Sequence, residues 1–163
     1  MTAIFKREFR SFFHGMLGYV LTAFLVASSG LYFLARCLIY GLTDFSYYTL
    51  YQTIFMLLLY IPVLAMRSLA EERHSRTDQL LLTSPVGIPS IVMGKYFAQL
   101  AVFAVPMAAA AIMPLVLTAF GTISLTSAYA TWLAYFLMGA ACIAIGTFVS
   151  ALTENQIIAY LAT

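Results

Sequence analysis

Residues 11–35, 45–66 and 96–153 contain no Asp, Glu, Lys or Arg. An α-helix rises 1.5 Å per residue, so about 20 apolar residues cross the ~30 Å hydrocarbon layer of a bilayer. A charge at the centre of such a helix costs roughly 2.5–3.5 kcal/mol. The first two uncharged stretches therefore each predict one span, and the third predicts two. The spans fall near Met16–Ile39, Ser46–Met66, Pro89–Ala119 and Ala128–Leu152. Gly121-Thr122-Ile123-Ser124 makes the turn between the last two. Arg36 stands at the outer end of the first span, and Lys95 is close enough to the start of the third to snorkel to the interface. Thr153-x-x-Gln156 reads as a capping box opening a fifth apolar helix, which Thr163 leaves too short to cross. The expectation is a chain cut inside its fifth span.

Two polar elements interrupt this pattern. In Ile4–Phe13 the wheel gathers Phe5, Phe9, Phe12 and Phe13 within about 100°. Arg7 and Arg10 lie outside that arc and Lys6 lies at its edge. This predicts an interfacial elbow helix, with its aromatic face in the acyl boundary and Lys6, Arg7 and Arg10 toward anionic headgroups. A plain charged flank that sets topology is the alternative. The second element, Arg67–Gln79, is polar on all sides between Glu71 and Gln79, and Glu72 precedes Arg76 at i,i+4. Such a helix is solvated, or it docks on another protein. Leu80-Leu81-Leu82 then returns the chain to the membrane.

Composition narrows the class. Lys and Arg number 8 and Asp and Glu 6, so charged residues are 9% and hydrophobic ones 63%; the mean hydropathy is +0.96. Soluble domains carry about 25% charged residues, so a water-soluble globule and a disordered chain are both excluded. The small net charge does not suggest nucleic acid as a partner. Lys6, Arg7, Arg10, Arg67, Arg73, Arg76 and Lys95 flank one side of the predicted spans, and Arg36 alone flanks the other. The positive-inside rule then sets the N-terminus and the 67–87 loop in the cytosol. A cleaved signal peptide fits poorly, because the first apolar stretch exceeds the usual ~7–15 residues and further spans follow.

The run Met66-Arg-Ser-Leu-Ala-Glu-Glu-Arg-His-Ser-Arg-Thr-Asp-Gln-Leu-Leu-Leu-Thr-Ser-Pro-Val86, followed by Ile91-Val-Met-Gly-Lys95, resembles the permease subunits of type-two ABC exporters. More narrowly, it is similar to half-size permeases grouped with gliding-motility and copper-enzyme-maturation transporters. Lys6–Arg10, Gly146–Ser150 and Leu152–Gln156 agree with that pattern. The resemblance implies an all-α polytopic bundle in one domain, residues 1–163. It would hold four complete spans, an elbow helix, a cytosolic coupling helix and the start of a fifth span. It also implies a separate cytosolic ATP-binding subunit docked on the 67–82 loop, with Glu71, Glu72, Arg73, Arg76, Thr77 and Asp78 as the docking residues. A second permease copy or homologous permease would complete the assembly in the cytoplasmic membrane. No cofactor is implied. Other classes compatible with the spans are a secondary transporter or channel fragment and a non-transporting membrane anchor.

Other chemistry is sparse. The chain has no Gly-x-x-x-x-Gly-Lys-[Ser/Thr] phosphate loop. His14, His74, Cys37 and Cys142 have no metal-ligand spacing, so no metal site is expected. The spans offer no ionisable residue at mid-depth, against both intramembrane proteolysis and proton coupling. Pro106 and Pro114 predict a bend in the third span. Cys142-xxx-Gly146-xxx-Ser150 and Ala104-xxx-Ala108 place small residues on one helix face, as expected of intrachain packing contacts first and of a permease–permease interface second. Tyr47, Tyr48, Tyr51 and Trp132 fit an outer aromatic belt.

Overall fold

The computed structural model describes residues 2–41, 44–66, 88–119 and 123–152, and every regular element among them is a helix. Helix α1 (Thr2–His14) is the amphipathic segment. It ends at Gly15, whose extended backbone also opens α2 (Met16–Tyr32). The elbow is tight: a Cβ on Gly18 would lie 2.4 Å from the carbonyl oxygen of Phe12. Only a residue without a side chain lets the two backbones approach this closely.

Helix α2 runs directly into a π-helix, Phe33–Ile39. Gly41 follows with φ of +67°, the left-handed conformation that ends helices and that glycine adopts without penalty. A second π-helix, Ser46–Tyr51, leads into α3 (Gln52–Met66). The two π-helical stretches meet, with Cys37 Sγ 3.7 Å from Thr49 Oγ1 and Phe33 edge-on to Phe45.

Helix α4 (Ile88–Ala110) tolerates Pro106, but the chain breaks at Ala111–Ile112 before α5 (Met113–Thr118). Pro114 explains the break, because it has no N–H to offer the carbonyl four residues back and its ring clashes there. Side chains of α6 (Leu125–Leu152) bond to backbone carbonyls next to the break. Tyr129 Oη donates to the Ala111 carbonyl at 3.2 Å, and Trp132 Nε1 donates to the Met107 carbonyl at 3.0 Å.

Three helices are long and apolar enough to cross a bilayer: Gly18–Ile39, Pro89–Leu117 and Leu125–Ala151. The second in chain order offers a shorter apolar run, Thr49–Leu64. Four complete spans are therefore one more than length alone supports among the described residues. The expected span from Ser46 loses its N-terminal end to a polar, tyrosine-rich π-helix.

Helix α2 packs on α3 and α4, α6 packs on the same two, and α1 lies along α4. Tyr60, Leu64, Val102, Phe103 and Ile143 are fully enclosed where they meet. Leu31, Leu58, Leu133, Leu137, Ile145 and Phe148 point outward and are more than half exposed. An aqueous protein does not leave so much apolar surface bare, whereas lipid covers it without cost. Hydroxyls within the spans bond back to their own helices, as Thr22 does to Gly18, Thr53 to Thr49 and Thr147 to Ala144. That keeps polar atoms satisfied away from water.

Candidate functional site

The charged residues that the structure brings together lie where α1 meets α4. Glu8 projects from α1 and Lys95 from α4, with Lys95 Nζ 3.9 Å from Glu8 Oε1. Arg7 holds the same oxygen at 2.7 Å from the exposed side. Lys95 is only 2% exposed. It sits about 10 Å along α4 from Ile88, counted at 1.5 Å per residue. The side chain expected to snorkel is instead enclosed beside a carboxylate on another helix.

One turn further along α4, Gln99 is 1% exposed. Neither its amide oxygen nor its amide nitrogen has a partner among the described residues, and the hydroxyl of Tyr60 on α3 is alike in this. Lys95, Gln99 and Phe103 recur every fourth residue, so they share one face of α4. Phe103 packs against Tyr60 and stacks on Phe136, with centroids 5.8 Å apart in both pairs. A Cβ on Gly139 would lie 2.4 Å from the Phe103 ring, which makes Gly139 the tightest point of the α4–α6 contact among the described glycines.

Helix α1 carries the elbow residues as follows. Phe5, Phe9 and Phe13 stack along one stripe, continued by Tyr19. Phe12 is buried in the core, and Phe9 and Phe13 pack against it. The aromatic face predicted to enter the acyl boundary is therefore turned largely onto the bundle. Lys6, Arg7 and Arg10 are exposed. On α6, Cys142 is half-buried, Gly146 buried and Ser150 fully enclosed. The parallel reading of Ala104 and Ala108 is corrected. Ala108 is exposed and Ala104 lines an open groove, so the pair is no intrachain contact. The docking candidates Glu71, Glu72, Arg73, Arg76, Thr77 and Asp78 lie outside the described residues.

Tyr47 and Tyr51 stack at 5.7 Å, both more than half exposed, at the end where Arg36 lies 6.0 Å from the Tyr40 ring. Cys37 and Cys142 are free thiols. No three His, Cys, Asp or Glu side chains converge among the described residues.

Sequence reading missed the Glu8–Lys95 pair, Gln99 and Gly139. The signal for the pair was present: a lysine inside an apolar helix, and a single acid on the amphipathic helix that precedes the spans.

A bundle of apolar helices, coated in apolar side chains and holding its polar atoms inside, is an integral membrane protein. Its distinctive features are contacts between helices. The chain belongs to the ABC-2 transporter family, since residues 9–163 match the family model described as ABC-2 family transporter protein. It is accordingly a membrane permease of the ABC transporter class. Comparison with curated proteins and with solved structures returns no match.

Proposed function

We propose that this chain moves substrate across the cytoplasmic membrane with energy from ATP hydrolysed by a separate cytosolic subunit. That subunit docks on the 67–82 segment through Glu71, Glu72, Arg73, Arg76, Thr77 and Asp78, and the N-terminus lies on the same side. A second permease, identical or homologous, completes the pathway. The single observation that supports this reading most is the family match across residues 9–163, which spans the mixed-charge segment as well as the hydrophobic helices.

The physical route is short. A polar helix carrying both signs of charge fixes register on a partner by electrostatic complementarity. Helix α4 begins immediately after residue 87, so a displacement of the docked segment pulls on α4. Helix α1 is tied to α4 by Glu8 and Lys95 and moves with it. The spans then shift between two packings, provided that the partner favours one of them.

Co-purification with the ATP-binding subunit tests the reading. Reversing Glu71 and Glu72 together should abolish capture and uncouple ATP hydrolysis from transport, with membrane insertion unchanged. A double variant that assembles and transports like the parent refutes the docking assignment. Labelling of cysteines placed in the 67–82 segment from the cell exterior refutes the topology.

A further inference from the structure

A groove of about 470 Å³ runs along α4 outside the core. Its floor is made of small residues, Gly94, Ala101 and Ala104, and its walls of Phe5, Phe97 and Phe136. Gly94, Phe97, Ala101 and Ala104 recur at spacings of three and four, so one face of α4 is hollowed over about 15 Å of helix. The surface inside is almost wholly apolar. Its size lies within the ~300–1,000 Å³ range of ligand sites.

Helix α1 forms one wall through Phe5, and it also brings charge. At about 100° per residue, three stripes follow one another around α1. The bundle-facing stripe is Glu8 and Phe12, the next is Phe5, Phe9 and Phe13, and the third is Lys6 and Arg10. The basic stripe thus borders the aromatic stripe on the side away from the bundle. Lys6 and Arg10 are exposed and carry no ion pair among the described residues. Arg7 differs, because Glu8 holds it.

We propose that this groove and the basic stripe beside it form a binding site for one anionic phospholipid. Lys6 and Arg10 hold the headgroup phosphate, and one acyl chain lies along Gly94–Ala104 beneath Phe5. Charge complementarity selects this occupant. A second apolar protein helix would fill the hollow but would leave both cations, beyond the aromatic stripe of α1, unmatched. A zwitterionic lipid brings the same phosphate, but its own ammonium group offsets the attraction of the two cations. The bound lipid acts as a wedge between α1 and the outer face of α4, complementing the Glu8–Lys95 tie on the inner face.

Native mass spectrometry of the full chain in detergent, titrated with phosphatidylglycerol or phosphatidylcholine of equal chain length, reads the site. The expected result is a first adduct with about tenfold or greater preference for phosphatidylglycerol, from two cations near a lipid surface. Lys6→Gln with Arg10→Gln should erase the preference, and being surface changes they leave the fold intact. Ala101→Leu should fill the floor and remove the adduct of either lipid. Equal affinity for the two lipids, or a preference that survives the Lys6/Arg10 change, overturns the proposal. So does efficient disulfide pairing of two Ala104→Cys chains in the membrane, because it would show a second copy seated in the groove.

Discussion

The pair between Glu8 and Lys95 is the feature whose energetics can be worked most directly. Two unit charges 3.9 Å apart attract by about 4 kcal/mol at an effective dielectric of about 20. Desolvation of Lys95, at 2% exposure, offsets much of that gain. The expected coupling is therefore about 1–3 kcal/mol, measured by a double-mutant cycle. Glu8→Gln and Lys95→Met should each destabilise the chain, and the double variant should lose clearly less than the sum. Replacing a whole buried pair by neutral groups is often nearly neutral, whereas removing one partner is not. The assay is unfolding in mixed micelles, followed through Trp132, the only tryptophan in the chain. Trp132 donates to α4 and stacks on Phe136, so its emission reports the α4–α6 contact. Arg7→Ala provides the contrast. Its side chain is 53% exposed, so its loss should cost no more than about 1 kcal/mol despite the shorter distance. Additivity of Glu8→Gln and Lys95→Met within about 0.5 kcal/mol would refute the reasoning, and α1 would then be held by packing alone.

Gly139→Ala should destabilise the bundle by about 1–3 kcal/mol in the same assay, since the new methyl meets the Phe103 ring at 2.4 Å. Combining it with Phe103→Leu should recover part of the loss. Trp132→Phe keeps the stack and removes the donor to Met107, so it should cost about 1 kcal/mol and be read by thermal inactivation in detergent. Gly146→Leu should reduce detergent stability through the inward face of α6, and an unchanged midpoint would exclude a packing role for that residue.

Charge spacing alone made the helical class and the positions of the hydrophobic elements legible, because charge is so costly in lipid that its absence marks a span. The first span, Met16–Ile39, corresponds to α2 with its π-helical extension. Pro114 marked a bend, although not the hydroxyl and indole groups of α6 that bond to the Ala111 and Met107 carbonyls beside it. The inward faces of the spans were harder to read. Helices α2, α4 and α6 are apolar on every side, so no stripe distinguishes a lipid-facing residue from a core one. Ala104 and Cys142 illustrate the difficulty. In sequence, Ala104-xxx-Ala108 and Cys142-xxx-Gly146 look alike, yet the first lines an open groove and the second lies inward. Lys95 was misjudged for a different reason. Snorkelling presumes that lipid surrounds the lysine, and whether a carboxylate from another helix lies nearer is a tertiary fact.

Helix α1 shows how a short segment outside the spans comes to matter to them. An amphipathic helix at an interface is ordinarily held only by lipid, with an affinity set by its buried apolar area and its charge. Here Phe12 and Glu8 commit one side of α1 to protein, while Lys6 and Arg10 leave another side free. The helix is thus fixed to α4 on one face and exposed on the other, where the proposed lipid headgroup would bind. Any movement of α4 must then either drag cationic side chains along the membrane surface or break a buried ion pair. The first costs little, because charges slide over a hydrated surface with small changes in energy, and the second forfeits the coupling of about 1–3 kcal/mol. Movement with α1 attached is the cheaper course, so α1 and α4 behave as one rigid unit. A disulfide or short cross-linker joining α1 to α4 should therefore leave transport intact, whereas one joining α1 to α3 should block it. Block by the α1–α4 link would show that the two helices part during the cycle.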